Sequence, residues 1–245
     1  MDPAVRPEPP ARPPRLRRWL GRWFAVFTLV LAAYHGWVFW RVWRLREHDP
    51  QTTAFMQDGL ERLRSSDPMA RLQHRWVPYE QISAHLKRAV IAAEDQRFLD
   101  HEGFDVEAIQ EAFEKNARGG RIRHGASTIS QQLARNLFLS PRRTYSRKAQ
   151  EAVITMMIEH ILGKRRILEI YLNVIEWGNG IYGAEAAAQH YYGKAAADLE
   201  PGEAARLAAM IPSPRFYTRN PSTPYLDERT EILLGEMDRD YVRVP

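Results

Sequence analysis

SRKAQEAVITMMIEHIL, from Ser146 to Leu162, is the segment on which the fold turns. It holds no Gly or Pro and reads as one helix, with Ser146 as a good N-cap. Ala149, Ala152, Val153, Ile154, Met156, Met157, Ile158 and Ile161 make it apolar nearly all round, so burial is expected. Glu151 follows Lys148 by three residues and Arg147 by four, a shared face that Thr155 and Glu159 continue. Two cations in a first turn oppose the helix dipole, which favours anions there by ~0.3–1 kcal/mol. One account is an exposed Arg147–Glu151 pair, in the weaker cation-first order and worth ~0.3–0.5 kcal/mol. The other is a bound anion on which free backbone N–H groups and both cations converge. The segment alone leaves both open.

Working outward, GASTISQQLARN (Gly125 to Asn136) opens a second helix of the same character. Ser127 and Thr128 can cap it or bind an anion. Gln131 and Arg135, like Gln132 and Asn136, stand four apart, and such amides are most often solvated surface. Further upstream lies AVIAAEDQRFLDHEGFD (Ala89 to Asp105), where Glu94 extends the apolar stripe of Leu86, Ala89, Val90 and Ala93. A carboxylate held against apolar groups has a raised pKa and suits a general base. The plainer role for Glu94 is a helix-end salt bridge to Arg97. No His/Asp/Glu spacing makes a convincing metal site, and no strand-to-helix Gly-rich phosphate loop is present.

Helices are expected at 82–98, 105–117, 127–138, 146–162, 165–175, 183–192, 201–210 and 225–238, each bounded by a cap or breaker. The best strand signal is HRWVPY, His74 to Tyr79. The fold class is therefore all-α or mostly α. Ahead of it, Trp23 to Trp40 carries no charge, close to the ~20 residues a membrane-spanning helix needs. Trp19, Trp23, Trp37, Trp40 and Trp43 cluster at its ends, as interfacial belts do. Six Arg precede the run and three follow it, which keeps the N-terminus in the cytoplasm and sends the domain out. The organisation read is a disordered tail over 1–18, an anchor over 19–43, a helical connector over 44–75 and a domain over 76–245.

Charge supports this division. Residues 1–46 carry nine Arg against two acids, so the net +5 of the 245-residue chain leaves −2 for the remainder. A nucleic-acid binder needs its basic footprint on the folded domain, so that class is excluded. The absence of cysteine excludes a disulfide framework and thiolate chemistry.

Read together, Glu94-Asp95 through His101, Gly103 and Asp105, then GASTISQQLARNLFL, then Arg147-Lys148-x-x-Glu151 resemble the first three motifs of the peptidoglycan glycosyltransferases, the transglycosylase family shared with bifunctional penicillin-binding proteins. YLNVIEWGNGIYGAEAAAQHYYGK and LEPGEAARLAAMIPSPRFY resemble the segments that follow, and EWGNGIYGAEAA is similar to the monofunctional branch. No Ser-x-x-Lys of a transpeptidase is present. The resemblance implies a lysozyme-like helical domain that polymerises lipid II by inverting displacement, the acceptor 4-hydroxyl attacking and polyprenyl pyrophosphate leaving. It implies Glu94 as general base, with Arg135, Arg147 and Lys148 on the pyrophosphate and Glu151 holding them. It also implies Ser127, Thr128, Gln132 and Asn136 along the donor site. Its partners are lipid II, the lipid-linked glycan and the bilayer, with proteins of the cell-wall or division machinery left open. It requires no cofactor and leaves a divalent cation, Mg²⁺ or Mn²⁺, open. Two positions depart from the family pattern: Ala126 stands for a glycine and Arg135 for a lysine. A lysozyme-like hydrolase and a non-catalytic scaffold are the competing readings.

Overall fold

The computed structural model describes residues 15–119, 126–142 and 144–245. The first 14 residues of the expected tail lie outside these described residues, and so do residues 120–125 of RGGRIRHG (Arg118 to Gly125), the loop before Ala126 that the sequence predicts to be mobile. The chain divides into two units, 1–40 and 41–245.

In the first unit the uncharged run lies on α1 (Arg15–Arg44), which reaches back through Arg15, Arg17 and Arg18, residues expected in the tail. Trp19–Arg44 is 26 residues long and contains an 18-residue window of mean hydropathy 1.4. At ~1.5 Å per residue it is ~39 Å long, more than the ~30 Å hydrocarbon core of a bilayer. Phe24, Phe27, Leu29 and Val30 are exposed along it. The two polar side chains within the run are satisfied inside the helix. Thr28 donates to Phe24 O at 2.9 Å, and His35 Nδ1 lies 2.8 Å from Leu31 O.

The second unit is a helical domain with a small sheet. α2 (Ala54–Arg64) is capped by Thr53, whose hydroxyl accepts from Met56 N. α3 (Ala84–Glu94), α4 (Val106–Gly119), α5 (Ile129–Phe138), α6 (Tyr145–Ile161) and α7 (Lys164–Val174) follow. α8 (Ala184–Tyr192), α9 (Pro201–Met210), α10 (Pro214–Arg219) and α11 (Pro224–Glu236) complete it. α3 packs with α9 and α11 through Leu86, Ala89, Val90, Ala205, Ala208, Leu226 and Leu233, all fully buried. α5 packs on α2, α6 and α7.

Three expectations are corrected. α6 is not buried all round: Glu151, Ile154, Thr155 and Ile158 are buried, while Tyr145 is 99% and Met156 54% exposed. The more fully buried helix is α7, where Ile167, Leu168, Ile170, Tyr171, Leu172 and Val174 are fully buried and only its charged first turn and Glu169 reach solvent. Apolar composition measures how little polar surface a helix has; which faces find partners depends on its neighbours. The cap of α6 is Thr144, whose hydroxyl accepts from Arg147 N at 3.2 Å, and Ser146 lies within the helix. α3 stops at Glu94, four residues short of expectation, because Asp95 turns out of the helix at φ −164° and ψ 73°.

The sheet is small and was largely unread. Of HRWVPY only His74 lies in a strand, as the last residue of β1 (Gln73–His74). β2 (Glu176–Gly178) and β3 (Ile181–Tyr182) form an antiparallel hairpin, and β1 adds to β3 in parallel, in the order β1-β3-β2. Strands of two or three residues have no period to read. α2, within the expected connector, is part of this unit: Tyr182 Oη donates to Phe55 O at 3.1 Å, and a Cβ on Gly59 would lie 2.2 Å from that hydroxyl.

Candidate active site

The site begins where α3 ends. Glu94 Oε2 accepts from Gln132 Nε2 at 2.6 Å, and Tyr171 Oη donates to Gln132 Oε1 at 3.0 Å. Tyr171 is fully buried on α7, so the amide of Gln132 is oriented from the core and presents its N–H₂ to the carboxylate. Burial pushes the Glu94 pKa up; the Gln132 bond and the charges of Arg135 and Arg229 oppose the shift without cancelling it. The alternative salt bridge to Arg97 is not made. Arg97 pairs with Asp105 and Glu107 instead.

Asp95 ties α3 to the start of α5. Its Oδ2 accepts from Ile129 N and its Oδ1 from His101 Nε2, both at 2.9 Å. His101 Nδ1 accepts from Gly103 N at 3.1 Å, so the proton sits on Nε2. Thr128 caps α5 in a box with Gln131, and its hydroxyl donates to Gly103 O at 2.7 Å. Gly103 needs its φ of +93°, and a Cβ there would lie 2.8 Å from Thr155 Cγ2. Gln131 is thus a buried cap partner and not solvated surface. Behind it Glu159 accepts from Ser130 at 2.5 Å and from Lys164 at 2.8 Å.

The opposite element is α6. Glu151, with its side chain 2% exposed, accepts from Arg147 Nη1 at 2.7 Å and pairs with Lys148. An exposed ion pair is therefore excluded: one buried acid restrains two cations and leaves a local excess of one positive charge. Arg147 Nε and Arg135 Nε are buried with no hydrogen-bond partner among the described residues. Buried donors of this kind cost ~1–3 kcal/mol unless something pairs with them.

Two cavities meet at Ser127. One, of about 420 Å³, is lined by Glu94, Asp95, Arg97, Asp105, Ser127, Thr128 and Arg229 among others. The other, of about 1040 Å³, is lined by Phe55, Ser127, Arg135, Thr144, Tyr145, Arg147, Lys148, Glu176 and Arg215 among others. So Glu94 and Thr128 lie on one side of Ser127, and Arg135, Arg147 and Lys148 on the other. Gln132 and Asn136, expected along the donor wall, turn inward. Gln132 serves Glu94, and Asn136 Nδ2 donates to Gln132 O at 2.8 Å. Sequence reasoning passed over Tyr171, Arg229, Phe55, Glu176 and Arg215; Arg215 alone carries a local signal, as a cation in the first turn of α10 like Arg147 in α6, whereas the others break no local rule. Among the described residues no group of three or more His, Asp or Glu is disposed to hold a metal.

Fold and site define a mostly helical enzyme domain, preceded by one long apolar helix, whose cleft sets a buried carboxylate opposite a cationic cluster. The chain belongs to the transglycosylase family, whose model matches residues 61–238 and so begins within α2. It is 62% identical over 222 residues to a biosynthetic peptidoglycan transglycosylase of Azoarcus sp., covering 91% of this chain and 96% of the relative. It is 57% identical over 221 residues to one of Nitrosospira multiformis, covering 90% and 96%.

Proposed function

We propose that the chain polymerises lipid II into glycan strands, with the two cavities on either side of Ser127 as acceptor and donor sites. The observation that carries this reading is the opposition of Glu94, its pKa raised by burial, to the cluster of Arg135, Arg147 and Lys148 across a shared wall residue. The acceptor 4-hydroxyl oxygen attacks the anomeric carbon of the lipid-linked chain. Its proton goes to Glu94 as the new C–O bond forms, and the bond to the diphosphate oxygen breaks with inversion.

Charge then collects on polyprenyl diphosphate. Lys148 meets it as a mobile point charge, while Arg147 and Arg135 offer planar donors whose buried Nε atoms gain a partner. Glu151 fixes the cations before substrate arrives, so little reorganisation is needed at the moment of reaction. Ser127 contacts both substrates, and Thr128 belongs with the acceptor side.

The test is the full chain in detergent with lipid II, with and without chelator. Long strands and free polyprenyl diphosphate in both conditions support the reading, whereas release of short fragments from sacculi points to hydrolysis. Glu94→Gln is expected to lower the rate by at least about 100-fold, the usual scale for a general base. Full polymerisation by that variant would falsify the assignment.

α1 serves as a single anchor, with the N-terminus in the cytoplasm and the domain outside, because Arg is denser before the apolar run than after it. Protease added to intact spheroplasts is expected to degrade the domain. Its protection until the membrane is opened would reverse the orientation.

A further inference from the structure

At about 1040 Å³ the larger cavity is at the top of the ~300–1,000 Å³ range of ordinary ligand sites, far more than a diphosphate fills. Besides the cations, its wall holds Phe55, Glu176, Pro212, Pro214, Arg215 and Phe216. Glu176 and Arg215 form one rigid unit there. Arg215 Nε donates to Glu176 Oε1 at 2.9 Å and to Oε2 at 3.0 Å, and Nη2 donates to Oε2 at 2.7 Å. The Glu176 side chain is 9% exposed and that of Arg215 40%.

The fold makes this pair by a close approach. α10 lies on β2 at Gly178, where a Cβ would sit 2.6 Å from Tyr191 Oη and 2.7 Å from Thr218 Oγ1. Tyr191 Oη donates to Trp177 O at 3.0 Å and pairs with Thr218, fixing strand to helix.

The electrostatics of this wall differ from those around Glu151. Arg62 comes within 3.5 Å of Glu176 and pairs with Asp58 at 2.9 Å, so two cations and two anions cancel. Glu176 has its oxygens occupied by arginine. Arg215 Nη1 makes no hydrogen bond among the described residues. The cavity therefore has a cationic part suited to phosphate and a neutral part. The neutral part offers a planar N–H edge beside the apolar faces of Phe55, Phe216 and two prolines. A sugar has the matching chemistry, since it is uncharged, its hydroxyl and acetamido oxygens accept, and its C–H faces pack on rings.

We propose that Arg215, held in place by Glu176, is a sugar-binding wall of the donor cavity that hydrogen-bonds a neutral hexosamine of the lipid-linked chain. Arg215 touches the substrate, and Glu176 is its positioning residue. The inference rests on the reading of Arg135, Arg147 and Lys148 as diphosphate ligands.

Two probes separate sugar from phosphate: lipid II, which has both, and polyprenyl diphosphate, which has the anion alone and inhibits as a product. In the full-length protein Arg215→Ala is expected to raise the KM for lipid II about tenfold, the loss of one well-placed hydrogen bond. Inhibition by polyprenyl diphosphate should stay within about twofold of wild type. Glu176→Gln should raise KM in the same direction, and should add nothing in the Arg215→Ala background. If Arg215→Ala does not fold, Arg215→Lys carries the test, since it keeps the charge and loses the second N–H edge. An unchanged KM overturns the proposal, and so does an equal weakening of both probes, which would make Arg215 a phosphate ligand. Arg147→Ala is the control on the underlying reading. If it leaves polyprenyl diphosphate inhibition unchanged, the diphosphate assignment fails, whatever Arg215 does.

Discussion

Glu94 carries a cost that its proposed role as general base explains. Burial raises its pKa, so the ionised carboxylate is less stable in the folded protein than in the unfolded chain. The contribution to stability is therefore fully present below the ordinary carboxylate pKa of 4.5 and is lost as pH rises through the folded value. Two outcomes follow for one residue. The acid limb of kcat/KM should lie above the usual carboxylate range, because the base must be ionised to accept a proton. Glu94→Gln should melt no lower than wild type at pH 7.5, with the difference shrinking at pH 4, as read by thermal denaturation. A variant that melts several degrees lower at pH 7.5 would mean that the charge is paid for elsewhere in the fold. The apolar stripe leading to Glu94 was legible in the sequence. Its Gln132–Tyr171 support was not, since Tyr171 comes from a helix 77 residues further on.

Helices were legible here because caps and breakers are local, and their errors have local explanations. At α6 two hydroxyl residues, Thr144 and Ser146, both suit an N-cap, and Thr144 takes the place. Thr144→Ala is expected to cost about 1 kcal/mol in denaturant unfolding, while Ser146→Ala should cost less than about half of that. Equal costs would return the cap to Ser146. The shift matters to function, because it makes Arg147 and Lys148 the third and fourth residues of the helix, two positions further in than a Ser146 cap would, and both reach Glu151. The expectation of all-round burial failed for α6 because Glu151 and Thr155 face inward and apolar Met156 faces out. A helix that buries its polar stripe and exposes part of its apolar one is recognisable only once its neighbours are in place.

In the whole chain α1 is marginal as the proposed anchor, its most apolar 18 residues having a mean hydropathy of 1.4, so one charge should decide it. Leu31→Asp, near the middle of Trp19–Arg44, costs ~2.5–3.5 kcal/mol of insertion and should move protein from the membrane pellet to the soluble fraction. Retention of that variant in the pellet would mean that surfaces other than α1 hold the protein at the membrane. The sequence by itself determined the helical class, the long apolar helix, the cationic entrance of α6 and the candidate base, since each is written in spacings of three or four residues, in caps or in composition. Only the tertiary structure decided that α2 joins the catalytic unit, that Gln132 and Asn136 turn inward, and that Arg229 and the Glu176–Arg215 pair reach the cavities. The reason is physical: a local pattern records what a residue does to its own helix, whereas a cavity is made of side chains far apart in sequence whose meeting depends on how whole elements pack.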